Sequence, residues 1–79
     1  MQERAKIDFE KLIEDHSPIL LNRAYYLLSN KEDAEDLVQE VFYSAYINYH
    51  KYKGKGTTLS WLQGILYNKA MDLYKKRYI

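Results

Sequence analysis

The apolar residues of this chain recur at the spacing of an α-helix along most of its length. The clearest stretch follows Asn30, where apolar residues share one helix face: Ala34, Leu37, Val38, Val41, Phe42 and Ala45. Asn30 has a side chain typical of an N-cap. Acidic residues follow it in the first turn, where the helix dipole favours negative charge. We therefore predict a helix over residues 30–49 that buries this apolar stripe in a core.

Two shorter apolar segments precede this helix. The first runs from about Ile7 to Glu14, and its apolar residues share a face: Phe9, Leu12 and Ile13. Ser17 and Pro18 then match an N-cap followed by a proline at the first helical position. They predict a second helix with apolar residues at helical spacing: Leu20, Leu21, Ala24, Leu27 and Leu28. One bent helix within residues 1–29 also fits the pattern.

The helical pattern breaks between His50 and Thr58, where lysines alternate with tyrosine and glycine. We predict a basic loop over residues 50–58, followed by a last helix over residues 59–78 that Thr57 or Thr58 caps. The inward residues of this helix are Leu59, Leu62, Ile65, Leu66 and Leu73. The fold class that follows is all-α, with residues 1–79 forming one small bundle of three to four helices.

Length and composition exclude several classes of protein. The chain has 79 residues and no cysteine, so it forms one domain at most and has no disulfide or thiolate-bound metal. The N-terminus lacks the apolar stretch of a secretory signal, and no run approaches the roughly 20 apolar residues of a membrane span. We expect a cytoplasmic protein that does not associate with membranes.

Charge is distributed unevenly along the chain. Residues 1–40 contain ten acidic and five basic residues, whereas residues 41–79 contain one acidic and seven basic residues. An acidic half and a basic half predict two partners of opposite charge. The alternative is a chance distribution of solvated charges.

The sequence lacks the residue arrangements of an active site. His16 and His50 are far apart, and neither has the neighbouring partner that a catalytic base requires. The acidic residues of segment 32–40 lack the Glu-x-x-His motif of helical carboxylate metal sites. Gly54-Lys55-Gly56 is too short for a phosphate-binding loop. We expect no enzyme activity, no cofactor and no metal.

Two polar surfaces remain as candidate binding sites. On the helix predicted over residues 30–49, four residues project away from the apolar stripe: Asp36, Gln39, Glu40 and Tyr43. Such a patch suits arginines of a partner, because guanidinium groups bind carboxylates in bidentate geometry. An ordinary solvated face is the alternative.

The second surface combines basic and aromatic residues, which suits single-stranded or opened DNA better than intact duplex. Lysines bind phosphates, and aromatic rings between them stack on unpaired bases. The residues are Tyr49, Lys51, Tyr52, Lys53 and Lys55 near the loop, and Asn68, Lys69, Lys75, Lys76 and Arg77 of the last helix. A solubilising loop is the alternative. Trp61 lies beside the apolar stripe, and packing is expected to be its first role.

The segment Asn30–Phe42 resembles region 2.2 of sigma-70 family factors of the extracytoplasmic-function (ECF) type, with the sequence NKEDAEDLVQEVF. The downstream spacing is also similar to that family. An aromatic-x-Gly loop at Tyr52 precedes the segment Thr58–Leu62, and then come Asn68 and Asp72. The resemblance covers about residues 7–77. It implies a sigma factor region 2-like bundle that functions in transcription initiation.

This resemblance implies a role for each surface. Region 2.2 binds the clamp helices of the β′ subunit of RNA polymerase core, and its counterpart here is Asp36, Gln39 and Glu40, flanked by Tyr43 and Tyr46. The loop corresponds to region 2.3, which holds a base flipped from the promoter −10 element. The last helix corresponds to region 2.4, which reads that element. The implied DNA-binding residues are Lys51, Tyr52, Lys53, Lys55, Thr58, Ser60, Trp61, Asn68, Lys69, Lys75, Lys76 and Arg77.

Two features depart from the family pattern. Gly64 stands where similar factors usually have a basic residue, and the chain stops before region 4, the domain that reads the −35 element. Because the chain begins with methionine, we expect a stand-alone co-sigma subunit whose partner, a second sigma-like protein, supplies region 4. Two other interpretations stay open. One is an excised region 2 of a complete sigma factor, and the other is a clamp-binding regulator that does not contact DNA.

Overall fold

Three α-helices account for most of the chain in the computed structural model, which describes residues 9–51 and 56–78. They are α1 (Phe9–Leu28), α2 (Lys31–Asn48) and α3 (Thr58–Tyr78), and a short 3-10 turn, Tyr49–Lys51, follows α2. The described residues contain no β-strand. The all-α fold class is therefore confirmed. Ile7, where we placed the start of the first segment, lies outside the described residues.

The helix break predicted at Ser17 and Pro18 is wrong, because α1 continues through both residues, in agreement with the alternative of one helix over this segment. A proline inside a helix donates no hydrogen bond to the carbonyl four residues earlier, here that of Glu14, and it costs about 3 kcal/mol. The apolar residues on either side of Pro18 explain why the helix persists. Leu12 and Leu20 are both buried in the same core, so a break between them would expose one of them.

A two-residue connection joins α1 to α2. Ser29 adopts the left-handed conformation with φ of 57°, and its N–H donates to the carbonyl of Tyr25 at 2.7 Å. Asn30 is extended, with φ of −148°, and its Oδ1 accepts a hydrogen bond from the N–H of Asp33 at 2.9 Å. The predicted N-cap is confirmed. Since the connection is short, α2 folds back as the antiparallel neighbour of α1.

The core forms where one face of each helix meets the other two. All six apolar residues predicted on α2 are buried, and Val41 and Ala45 have no exposed surface. The remaining buried residues come from the other two helices: Leu12, Leu20 and Ala24 of α1, and Leu62, Leu66 and Ala70 of α3. Among the described residues, no polar or charged side chain is buried. The stability of this domain therefore depends on apolar packing around α2.

Helix α3 begins at a cap and is held along one flank by α1. Thr57 is the capping residue, because its Oγ1 accepts from the N–H of Ser60 at 3.0 Å. On the flank that faces α1, the guanidinium of Arg23 donates to the hydroxyl of Tyr67 at 3.1 Å. Further along, the hydroxyl of Tyr74 donates to the carbonyl of Leu27 at 3.4 Å. Both contacts lie at the surface, beside the buried residues of α3 that face the core. No helix among the described residues has the length and apolar character that a bilayer span requires.

Replacing Asn30 tests the N-cap. We expect Asn30→Ala to lower the free energy of unfolding by about 1 kcal/mol, because the N–H of Asp33 loses its partner. Asn30→Gly should lower it by only a few tenths of a kcal/mol. Urea denaturation followed by circular dichroism measures both values. An unchanged midpoint for Asn30→Ala would show that the cap does not stabilise α2.

Replacing Ser29 tests the left-handed backbone conformation at the end of α1. A non-glycine residue there pays a steric penalty of about 1 kcal/mol, which glycine avoids. We therefore expect Ser29→Gly to raise the free energy of unfolding by up to about 1 kcal/mol in the same assay, since Ser29 makes no side-chain contact that the substitution removes. A destabilised variant would contradict the assigned backbone conformation.

Candidate functional site

The outer face of α2 displays the residues predicted to bind polymerase. Asp36, Gln39, Glu40, Tyr43 and Tyr46 are all exposed, on the side of the helix opposite the buried stripe. Each of them has at least one neighbour in the set three or four residues away, so they form one continuous surface over about three helical turns. Tyr43 and Tyr46 are 68% and 66% exposed, which leaves most of each ring available to a partner.

Tyr46 differs from the other residues of this surface because its ring also has an internal contact. The ring lies edge-on to that of Phe9, at the start of α1, with centroids 5.2 Å apart. Phe9 also lies edge-on to Tyr49, at 5.9 Å. Tyr46 thus holds the start of α1 against the end of α2, in addition to any contact with a partner.

A charged groove, which the sequence did not predict, lies between α2 and α3. Its volume is about 370 Å³, and it combines acids, lysines and two leucines: Asp33, Asp36, Leu37, Glu40, Lys69, Asp72, Leu73 and Lys76. Two of the acids therefore belong both to the outer face of α2 and to this groove. Asp33 and Asp72 are the residues that sequence reasoning missed. Their spacing from Asp36 and Lys69 was the available signal, because residues three apart share a helix face.

An ion pair crosses this groove. Nζ of Lys69 lies 3.9 Å from Oε1 of Glu40, with the two side chains 32% and 67% exposed. A pair that is this exposed contributes about 0–1 kcal/mol to stability, because water screens it. Its main effect is geometric, since it holds a predicted DNA-binding lysine beside a predicted polymerase-binding acid.

Three of the predicted DNA-binding residues lie along another side of α3. Trp61, Asn68 and Lys75 follow each other at intervals of seven residues, which places them on one stripe. Asn68 and Lys75 are exposed, whereas Trp61 is half-buried and packs against the core. Gly64 is also exposed on this side, with open space where a side chain would lie. The stripe is thus accessible to a partner for most of its length.

Two aromatic rings, one before and one after the basic loop, contact each other. The ring of Trp61, in the first turns of α3, lies 5.8 Å from that of Tyr49, just after α2. This contact confirms that Trp61 packs within the domain. Within the range predicted as the basic loop, Lys51 ends the 3-10 turn and is exposed, whereas Thr58 begins α3 and is half-buried. Ser60, in the first turn of α3, is exposed.

Three predicted DNA-binding residues, Tyr52, Lys53 and Lys55, lie outside the described residues, and the structure describes Arg77 by its backbone alone. The two histidines remain apart. His16 is half-buried on α1, and His50 is exposed after α2. Within residues 9–51 and 56–78, no cluster of three or more histidine or acidic residues is arranged to hold a metal ion.

Comparison with known proteins identifies the family. The model of the Sigma-70 region 2 family matches residues 12–78. The ECF RNA polymerase sigma factor SigX of Bacillus subtilis is 29% identical over 69 residues, which are 87% of this chain and 36% of that protein. The ECF RNA polymerase sigma factor SigE of Mycolicibacterium smegmatis is 33% identical over 87% of this chain and 26% of its own length.

A third relative, the ECF RNA polymerase sigma factor SigG of Mycobacterium tuberculosis, is 33% identical over 89% of this chain and 19% of that protein. The chain therefore spans about a third or less of the length of these relatives. No solved structure matches it significantly. The family model covers nearly the whole three-helix bundle, including α2 and α3 with both candidate surfaces, so this chain belongs to the Sigma-70 region 2 family.

Proposed function

We propose that this chain acts in transcription initiation as a module that binds RNA polymerase core through α2 and promoter DNA through α3 and the basic loop. The observation that supports the proposal is that two chemically different exposed surfaces lie on helices of one core. Asp36 and Glu40 are exposed on the outer face of α2, and Asn68 and Lys75 are exposed on α3. In this proposal one domain holds both partners at the same time.

On the polymerase side, the proposed partner is the pair of clamp helices of the β′ subunit. Asp36 and Glu40 lie one helical turn apart, and their carboxylates can each accept two hydrogen bonds from an arginine. Gln39 adds an amide between them, and Tyr43 adds an exposed ring on the next turn. Tyrosine and arginine are the residues that contribute most at such interfaces, because they combine apolar area with directional hydrogen bonds.

On the DNA side, the proposed ligand is the opened −10 region. Asn68 can form hydrogen bonds with the edge of an extruded base, and Lys75 can contact a phosphate on the same stripe. Lys51 is exposed next to the loop, and Lys53 and Lys55 extend the positive charge along the sequence. Capturing unpaired bases offsets the few kcal/mol that unstacking costs, so this binding promotes melting. The module itself needs no catalysis and no cofactor, and it acts in the cytoplasm with the polymerase.

A co-sigma role is the finer part of this proposal. A second sigma-like protein with a region 4 domain would supply recognition of the −35 element. A regulator that binds the clamp without contacting DNA is the second candidate. It is favoured by the positions of Lys69 and Lys76, which face the groove rather than the outward stripe of α3.

Reversing the charge of Asp36 tests the polymerase contact. We expect Asp36→Arg to weaken binding to polymerase core by about 3 kcal/mol, roughly a hundredfold, because it opposes a positive charge to the partner's arginines. Fluorescence anisotropy of the labelled full chain gives the affinity, and circular dichroism verifies the helical fold. Glu14→Arg, an equal charge change on an exposed residue of α1, is the matched control and should bind normally. Normal binding by Asp36→Arg would refute the assigned contact.

Neutralising the loop lysines tests the DNA contact. We expect the triple variant Lys51→Gln, Lys53→Gln and Lys55→Gln to reduce the slope of log affinity against log salt for single-stranded DNA by about 0.7 per lost phosphate contact. The measurement uses the chain bound to polymerase core, so that the complete interface is present. The control neutralises Lys11 and Lys31, which lie on α1 and at the start of α2. An unchanged slope for the triple variant would favour the clamp-binding regulator.

A further inference from the structure

We infer that the polymerase-binding site extends from α2 across the groove onto α3, and that Lys69 and Lys76 bind the polymerase rather than DNA. This inference rests on the proposed function of α2. The proposed occupant is a pair of side chains from one polymerase helix, namely an arginine that binds the acids of α2 and a carboxylate that binds the lysines of α3.

The rotation of α3 separates its lysines into two groups. Successive residues of a helix differ by about 100° around its axis, so Lys75 and Lys76 point in different directions. Lys69 and Lys76 are seven residues apart and share one side of α3, where both line the groove. Asn68 and Lys75 share the neighbouring outward side. Burial of Leu62 and Leu66 against the core favours this rotation of α3.

The charge of the groove disfavours a phosphate backbone. Four carboxylates line it together with two lysines: Asp33, Asp36, Glu40 and Asp72 against Lys69 and Lys76, a net charge of −2. A DNA strand that approached these lysines would meet four like-charged groups within the same groove. A protein helix with both a basic and an acidic side chain meets complementary charge on each wall.

The ion pair between Lys69 and Glu40 connects the α3 wall of the groove to its α2 wall. Nζ of Lys69 lies 3.9 Å from Oε1 of Glu40, so the lysine forms an ion pair, across the groove, with a carboxylate of the proposed polymerase-binding surface. Only about a third of the Lys69 side chain is exposed, which restricts its reach towards the outward stripe. Lys69 is therefore a positioning residue for Glu40 as well as a contact for a partner's carboxylate.

The dimensions of the groove suit side chains rather than a whole helix. Its volume is about 370 Å³, and Leu37 and Leu73 supply apolar surface between the charged walls. An arginine and an acidic residue one turn apart on a partner helix are about 5–6 Å apart. The leucines can pack against the methylene stem of the arginine.

The test compares neighbouring lysines. Lys69→Met with Lys76→Met removes both charges from the groove but keeps long side chains, so the fold should persist, as circular dichroism verifies. We expect this variant to bind polymerase core about tenfold more weakly, as for the loss of one charged hydrogen bond, and to keep its salt slope for single-stranded DNA. Lys75→Met is the matched comparison. It should reduce the DNA salt slope by about 0.7 and keep its affinity for polymerase.

Three results would overturn the inference. One is unchanged polymerase affinity with a reduced DNA slope for the Lys69 and Lys76 variant. Another is increased polymerase affinity, which would show that these lysines compete with the partner's arginine for the acids of α2. The third is an equal loss of polymerase affinity for Lys75→Met, which would indicate a general effect of net charge. Asp36→Arg distinguishes the two proposals. If Asp36→Arg binds polymerase normally, the proposed function of α2 is contradicted. If Asp36→Arg loses binding but the Lys69 and Lys76 variant does not, only the extension of the site onto α3 is contradicted.

Discussion

The burial of one apolar stripe on α2 is the constraint on which the rest of the structure depends. The stripe is enclosed by α1 on one side and α3 on the other, and Val41 and Ala45 have no exposed surface. Because this face of α2 is fully used for packing, its acids and tyrosines occupy the opposite face. The same burial fixes how α3 lies against α2, and it thereby determines which lysines of α3 face the acids of α2. The position of both candidate surfaces therefore follows from apolar packing in a domain that has no disulfide.

The two surfaces share helices but differ in what they can recognise. The outer face of α2 presents carboxylates, an amide and phenol rings, which suit a protein partner with arginines. The outward stripe of α3 presents the exposed amide of Asn68 and the exposed cation of Lys75 beyond the half-buried ring of Trp61, a combination that suits a nucleic acid. The groove between α2 and α3 shares Asp36 and Glu40 with the outer face of α2, and by our inference it belongs to the protein-binding side.

Local sequence patterns predicted the helices and their caps better than the packing of one helix against another. The stripe on α2 and the cap at Asn30 were evident because periodicity and capping depend on residues near each other in sequence. The prediction at Pro18 was wrong for the same reason, because a proline at the start of a helix and a proline inside a helix can have similar neighbouring residues in the sequence. Burial of Leu12 and Leu20 in one core decided the outcome. Lys75, Lys76 and Arg77 formed one basic run in the sequence, yet the helix directs Lys75 and Lys76 to different surfaces. The Lys69–Glu40 pair joins residues 29 positions apart, which only tertiary packing brings together.

Photocrosslinking tests most directly whether α2 and α3 hold different partners. A photoreactive amino acid replaces Tyr43, on the outer face of α2, or Asn68, on the outward stripe of α3, in the full chain bound to polymerase core and promoter DNA. Both residues are exposed, so neither substitution should disturb the core. The account predicts that position 43 crosslinks to the β′ subunit and position 68 to DNA. Crosslinks from position 43 to DNA, or from position 68 to protein alone, would contradict it.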